Sequence, residues 1–217
     1  MRQPKQQRAV ETREGILHAA AELFDEMGYA GAGINRILER AGATAGSLYF
    51  HFDSKEGLAR AVMNRQSERI LPLLESQGLQ RLVDITLLWS RQLQTDVVLR
   101  AGVRLTTEAG ILGMGEAATP YAAWVQVMED CLLAAGDRGE LQAGVETAPL
   151  AEHLVATCTG MQLLSEAAGN DRADLPQRTQ RMWQLLLPGI AVPATVVRLD
   201  LDPRRAEALE QSEPVSG

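Results

Sequence analysis

A chain of 217 residues, 46% of them hydrophobic, can bury a substantial core in one or two domains. Its net charge of −7 disfavours nonspecific nucleic-acid binding, and the first fifteen residues hold no apolar run of the kind a secretory signal needs. The longest apolar run, residues 185–197, is too short to cross a bilayer and contains two prolines, so the expectation is a soluble cytoplasmic protein with no membrane partner.

The charge is unevenly spread. Residues 1–65 hold nine Lys or Arg against eight Asp or Glu, a balance of +1, while the remaining residues hold twelve against twenty, a balance of −8. An anionic partner should therefore prefer the first third of the chain. Cys131 and Cys158 lack the close spacing and neighbouring histidines of a metal site. In a cytosolic chain they read as reduced, buried small hydrophobes rather than a redox switch. No metal or other cofactor is expected.

Helical periodicity runs through most of the sequence. From Thr12, the apolar positions Ile16, Ala20, Leu23, Phe24 and Met27 recur at the three- and four-residue spacing of one buried helix face, and Gly28 ends the pattern. A glycine-rich turn follows. Ile34, Ile37, Leu38 and Ala41 then form a two-turn stripe closed by Gly42. Thr44 is a suitable N-cap for another short helix, on which Leu48 and Phe52 lie one turn apart. Asp53 and Ser54 are alternative caps for a longer helix ending near Pro72. Further helices are expected near 78–95, 97–109, 120–136, 147–168 and 172–187.

The two short helices joined by Ala41-Gly42-Ala43 form a helix-turn-helix pattern whose second member would be the reading helix. Leu48 and Phe52 should pack against Ile34, Ile37 and Leu38. A helix turns about 100° per residue, so Ser47, Tyr49, Phe50 and His51 cannot all join them. Tyr49 and His51 then offer donors to phosphate oxygens, and Thr44 and Ser47 reach phosphates or base edges. Gly46 leaves room for a close backbone approach, and the positive helix N-terminus and Lys55 favour phosphate. An ordinary helical hairpin with an aromatic plug would give the same pattern.

From Thr12 to about Gln66 the sequence resembles the DNA-binding domain of tetracycline-repressor (TetR) family regulators. The matching residues are I-L-x-A-A-x-x-L-F at 16–24, G-Y at 28–29, and I-x-x-x-A-G-A-T-x-G-S-L-Y-F-H-F-D-S-K-E-G-L from Ile37 to Leu58. The resemblance implies an all-α chain: a helix-turn-helix three-helix DNA-binding domain over 1–53, and a helical ligand-binding and dimerisation domain over 54–217. It implies a double-stranded DNA operator as partner, with Arg13, Arg36, Thr44, Gly46, Ser47, Tyr49, Phe50, His51 and Lys55 as the contact set. One departure is Ala45, where relatives often carry lysine. A missing phosphate contact would lower the salt slope of binding by about one unit.

The second half resembles the γ-butyrolactone-receptor branch of the same family, through VLRAGVRLTTEAG at 98–110, PYAAW at 120–124, G-M-Q at 160–162 and the 185–202 tail. That resemblance implies a small lactone-type effector and a homodimer that represses antibiotic-pathway genes. In such relatives the tryptophan matched by Trp124 lines the ligand cavity, Gln66 matches a recurrent glutamine, and Thr157 matches a small hydroxyl residue. Leu87, Leu88, Thr106, Val155 and Leu163 are further candidate walls, and Met114 is a candidate cap on the entrance. Trp89 and Trp183 read as core. The apolar residues over 147–168 and 172–187 fit either an internal core or an isologous dimer seam.

Enzymatic chemistry finds no foothold in the sequence. There is no recognisable nucleophile–base arrangement, G-x-S-x-G or phosphate loop, and the adjacent Glu152 and His153 on a helix do not face each other. The alternatives left open are a receptor of the same fold answering to an antibiotic or intermediate and, further off, a small-lactone-processing enzyme.

Overall fold

The computed structural model describes the backbone of residues 3–111 and 118–211. Among the described residues the chain is helical, with one isolated bridge between Leu141 and Ala191. The helices are α1 (Gln3–Gly31), α2 (Ile34–Ala41), α3 (Ala45–Phe52), α4 (Lys55–Ile70), α5 (Gly78–Thr95), α6 (Val97–Ile111), α7 (Ala118–Asp137), α8 (Thr147–Ala167), α9 (Leu175–Ile190), α10 (Pro193–Val196) and α11 (Arg204–Glu210). Met114 lies outside the described residues. None of the described helices is long and apolar enough to cross a membrane.

Several helix boundaries differ from the periodicity. Helix α1 begins nine residues before Thr12. Its added turns, QPKQQRAVE, are mostly good helix formers with no apolar stripe, and Pro4 sits in the first turn where its missing N–H costs nothing. Helix α9 starts at Leu175 because residues 170–174 form a polar corner. There the Asp174 carboxylate accepts from Ser165 Oγ, from Asn170 Nδ2 at 3.0 Å and from Arg178 Nε at 2.7 Å. At its other end α9 runs through Pro188 to Ile190, where Gln142 Nε2 donates to the carbonyls of Pro188 (2.9 Å) and Ala191 (3.0 Å).

The chain divides into two compact units. The first comprises residues 1–68 and 96–120. Its core joins Ile16, Leu17, Ala20, Leu23 and Phe24 of α1 to Ile37 of α2, Leu48 and Phe52 of α3, Leu58, Val62 and Met63 of α4, and Val98, Ala101 and Leu105 of α6. Each large apolar side chain buried this way contributes about 1.5–3 kcal/mol.

The second unit comprises residues 69–95 and 121–217, with α5 packed against α9 and α11 and with α8 and α10 on α9. Its fully buried Trp183 donates from Nε1 to Thr86 Oγ1 at 2.8 Å. Trp89, read as core, is half-buried. The Asp84 carboxylate is wholly buried. It receives Arg205 through two bonds of 2.6 and 3.0 Å, Ser76 Oγ at 2.6 Å and Gln80 Nε2 at 2.8 Å. That ion pair fastens α11, too short to persist alone, onto α5. Removing one partner of such a buried pair costs about 3–5 kcal/mol.

Candidate nucleic-acid interface and ligand residues

The turn between α2 and α3 is built from backbone bonds. Ala43 N–H donates to Leu38 C=O at 3.0 Å and Gly42 N–H to Glu39 C=O at 3.2 Å, closing α2 with a Schellman-type end. The chain leaves it extended at Thr44 (φ −96°, ψ 155°), and Thr44 caps α3. Ser47 N–H donates to Thr44 Oγ1 and Thr44 N–H donates to Ser47 Oγ, both at 3.2 Å. This is a reciprocal capping box with serine in the place usually held by Glu or Gln.

Capping fixes the rotation of α3. Leu48 (0% exposed) and Phe52 (5%) enter the first unit's core beside Ile34, Ile37 and Leu38. Tyr49 and Phe50 stay outside, 48% and 81% exposed. Thr44, Ala45 and Gly46 are exposed at the helix N-terminus, while Ser47 and His51 are half-buried. The His51 ring stands edge-on to Phe50 with centroids 5.0 Å apart. The open flank thus offers two rings, a hydroxyl end and the partial positive charge of the N-terminal amides, the chemistry that phosphate and base edges accept.

The next helix is fixed just as tightly. Of the two candidate caps it is Ser54 that accepts Gly57 N–H, at 3.0 Å, while Asp53 takes a left-handed φ of 61°. A Cβ at Gly57 would lie 2.0 Å from the Phe52 carbonyl oxygen, so the glycine of the K-E-G-L motif permits α4 to cross the end of α3.

The candidate cations are placed variously. The Arg13 guanidinium lies over the Phe52 ring, 5.2 Å from its centroid, and donates to Glu14 at 3.0 Å. Arg36 is exposed and donates to the Met27 sulfur at 3.2 Å. The Lys55 ammonium sits 4.5 Å above the Tyr29 ring, and burial there lowers its pKa. Burial, and then the nearby Glu56 carboxylate, push the Tyr29 hydroxyl up.

The ligand candidates fall in both units. In the first, Gln66 on α4 is 5% exposed and donates from Nε2 to Thr106 Oγ1 of α6 at 3.1 Å; Thr106 in turn donates to the Gly102 carbonyl at 2.8 Å. A Cβ on Gly102 would come within 3.0 Å of Gln66 Cγ and 3.2 Å of the Val62 carbonyl, so α4 and α6 are in close contact there. In the second unit, Leu87 and Leu88 are fully buried on α5. Trp124 on α7 and Val155 and Thr157 on α8 are half-buried, and Leu163 on α8 is 42% exposed. Gln66 and Thr106 are thus joined by a hydrogen bond within the first unit.

Both cysteines are free and buried. Desolvation raises the Cys131 thiol and pushes Cys158 up to about 12. Sequence spacing carried no sign of the long-range polar contacts in the first unit, which join residues 75 and 79 apart.

A short capped helix with one flank in the core and an aromatic, hydroxyl-bearing flank in solvent, carried on an otherwise helical chain, defines a helix-turn-helix transcription regulator. Residues 16–62 match the family model for bacterial regulatory proteins, tetR family, and residues 76–193 match the tetracyclin repressor-like C-terminal domain. The chain belongs to the tetR family.

It is 38% identical over 215 residues to the A-factor receptor protein of Streptomyces griseus, covering 96% of this chain and 76% of that protein. The full-length native TylP, a TetR regulator from Streptomyces fradiae, superposes with a TM-score of 0.86 at 40% identity, covering 93% of this chain and 97% of that one. A gamma-butyrolactone receptor described as ArpA-like gives a TM-score of 0.70 at 30% identity, over 94% of this chain and 98% of its own.

Proposed function

We propose that the chain is a ligand-responsive repressor which binds a pseudo-palindromic operator as a homodimer through α3. A small diffusible signal of the γ-butyrolactone, butenolide or furan type releases it and so switches on antibiotic or other secondary-metabolite genes. It works in the cytoplasm, associated with the nucleoid when bound to DNA. The observation that carries the reading is the two-sided reading helix, with Leu48 and Phe52 inward and Tyr49 and Phe50 outward. The ligand class is supported by the similarity to an A-factor receptor and to a gamma-butyrolactone receptor.

DNA contact falls to Thr44, Gly46, Ser47, Tyr49, Phe50 and His51, with Arg13, Arg36 and Lys55 as flanking cations. The functional boundary falls between residues 53 and 54, where the reading helix gives way to α4. One reading helix offers too few contacts for tight binding, and pairing two copies places two half-sites about one DNA turn apart. A seam for that pairing is supported by Leu164 and Leu185, 62% and 75% exposed on the mutually packed α8 and α9. Exposed Leu163 suits that seam as well as it suits a ligand wall.

Release needs a ligand that binds the DNA-incompetent form more tightly, because equal affinity for both forms shifts nothing. Gln66 and Lys55 lie eleven residues apart on α4, about 16 Å along the axis. One rigid helix therefore carries a ligand candidate at one end and supports α3 at the other. Coupling of about 1–3 kcal/mol loosens the operator roughly five- to hundredfold.

The test is a gel shift with DNA upstream of the chain's own gene, titrated with extract of the producing culture. Retention followed by release supports the reading, and the signal should be recovered chemically unchanged, as a lactone hydrolase would not leave it. Trp124→Ala and Gln66→Ala should retain DNA and lose release. Folded variants that lose operator binding as well would contradict this division of labour.

A further inference from the structure

Within the first unit α6 has two working faces. One carries Gly102 and Thr106 against Val62 and Gln66 of α4. The other carries Arg100, Arg104 and Glu108, spaced one turn apart, and it grips the end of α1. Arg100 Nε donates to Asp25 Oδ2 at 2.8 Å and Arg104 Nη1 donates to the Asp25 carbonyl at 2.5 Å. Arg104 Nε donates to Glu108 Oε1 at 2.8 Å, and Glu108 Oε2 accepts Tyr29 N–H at 2.8 Å.

The partners chosen are informative. In a continuous helix Tyr29 N–H would donate to the Asp25 carbonyl, four residues back. Gly28, at φ 70° and ψ 178°, breaks α1 between them. The two halves of that bond are taken by α6 instead, the carbonyl by Arg104 and the N–H by Glu108. The Gly28 Cα faces the Glu108 carboxylate so closely that a Cβ would lie 2.6 Å from Oε1. From α4, Lys55 covers the Tyr29 ring, and Phe24 stacks with it at 6.0 Å between centroids. An isolated surface ion pair contributes little. A carboxylate that receives a backbone N–H at a helix break also fixes the break's angle.

We propose that Arg104 and Glu108 are positioning residues for operator binding: by completing the broken α1 hydrogen bond from α6 they set the direction in which the chain leaves Gly28 for α2 and α3. The proposal rests on the regulator reading above. It also gives a displacement of α6, whose opposite face holds the Gln66–Thr106 pair, a direct route to the reading helices.

The test uses full-length chain and the tightest duplex that the unaltered chain selects from a random library, with affinity read by fluorescence anisotropy and folding by circular dichroism. Glu108→Ala, still folded, should weaken operator binding about tenfold, inside the usual range of such couplings. Glu108→Gln, which keeps an acceptor for Tyr29 N–H, should return to within about threefold of the original. Faster amide exchange at Tyr29 should accompany the alanine change and not the glutamine change. Should Glu108→Ala fail to fold, Arg104→Lys supplies the same comparison, since it keeps the charge and loses the forked reach to the Asp25 carbonyl and the Glu108 carboxylate together. Unchanged affinity in the folded variants, or equal losses for alanine and glutamine that only track the unfolded fraction, would overturn the proposal and leave the regulator reading standing. Unaltered chain that selects no duplex would overturn both.

Discussion

Replacing Gly28 by alanine tests the kink most severely. Its φ of 70° with ψ of 178° lies where residues bearing a Cβ hardly go, at a cost of about 1–3 kcal/mol. The new methyl would stand 2.6 Å from Glu108 Oε1 and 3.0 Å from Arg104 Nη2, so the carboxylate must move and give up Tyr29 N–H. Losing that charged hydrogen bond adds about 1.5–3 kcal/mol. The combined destabilisation is about 2.5–6 kcal/mol. In a chain of this length each kcal/mol moves the thermal midpoint by about 2–4 °C, so Tm should fall by at least about 5 °C. Gly15→Ala is the matched control: Gly15 is exposed and helical, and a methyl added there would meet no neighbouring group within 4 Å. There alanine should stabilise by about 0.5–1 kcal/mol through lost backbone entropy. Differential scanning calorimetry or circular dichroism melts read both. A Gly28→Ala chain as stable as the original, or two variants shifting in the same direction, would refute the reasoning.

Thr44→Ala removes the cap of the reading helix and should cost about 1 kcal/mol, so the Ser47 amide exchanges about fivefold faster, whereas Thr44→Ser should exchange at the original rate. Ala45→Lys restores a cation at the exposed N-terminus of α3; the plot of log K against log salt should steepen by about 0.9, and an unchanged slope would show that this position does not face phosphate. The Cys158 thiol, pushed up to about 12, should resist a disulfide-exchange reagent at pH 8 and react once the chain is unfolded. Because its folded pKa is raised above the ordinary 9.0, its stabilising contribution is constant below pH 9 and is lost between 9 and about 12. Rapid labelling of native chain at pH 8 would contradict that burial.

Much of the first unit was legible because its signals are local. The stripe from Ile16 to Met27, the caps at Thr44 and Ser54, and the Leu48–Phe52 pair lie within a few residues of their partners in sequence. The outward direction of Tyr49 and Phe50 followed from helical geometry once Leu48 and Phe52 were assigned inward. The Gly28 break was marked by its glycine, yet its stabilising partners, Arg104 and Glu108, are 79 residues away from the atoms they bond and have no local signature. The same is true of Asp84 and Arg205, 121 residues apart, which turn a charged tail into part of the second unit. The early turns of α1 were invisible to apolar periodicity because their sequence holds no apolar stripe. Among ligand candidates, a glutamine on a helix such as Gln66 would usually be solvated, and its burial against Thr106 depends on the tight approach of α6 at Gly102.

The most direct measurement is selection of duplexes from a random-sequence library by purified full-length chain, repeated with Tyr49→Ala and Phe50→Ala. The expected result is enrichment of an inverted repeat with half-sites about one helical turn apart, bound by paired copies, and its loss in variants that remain folded because both rings lie outside the core. Failure of folded chain to enrich any duplex at low ionic strength, or enrichment untouched by either substitution, would contradict a regulator that reads DNA through α3.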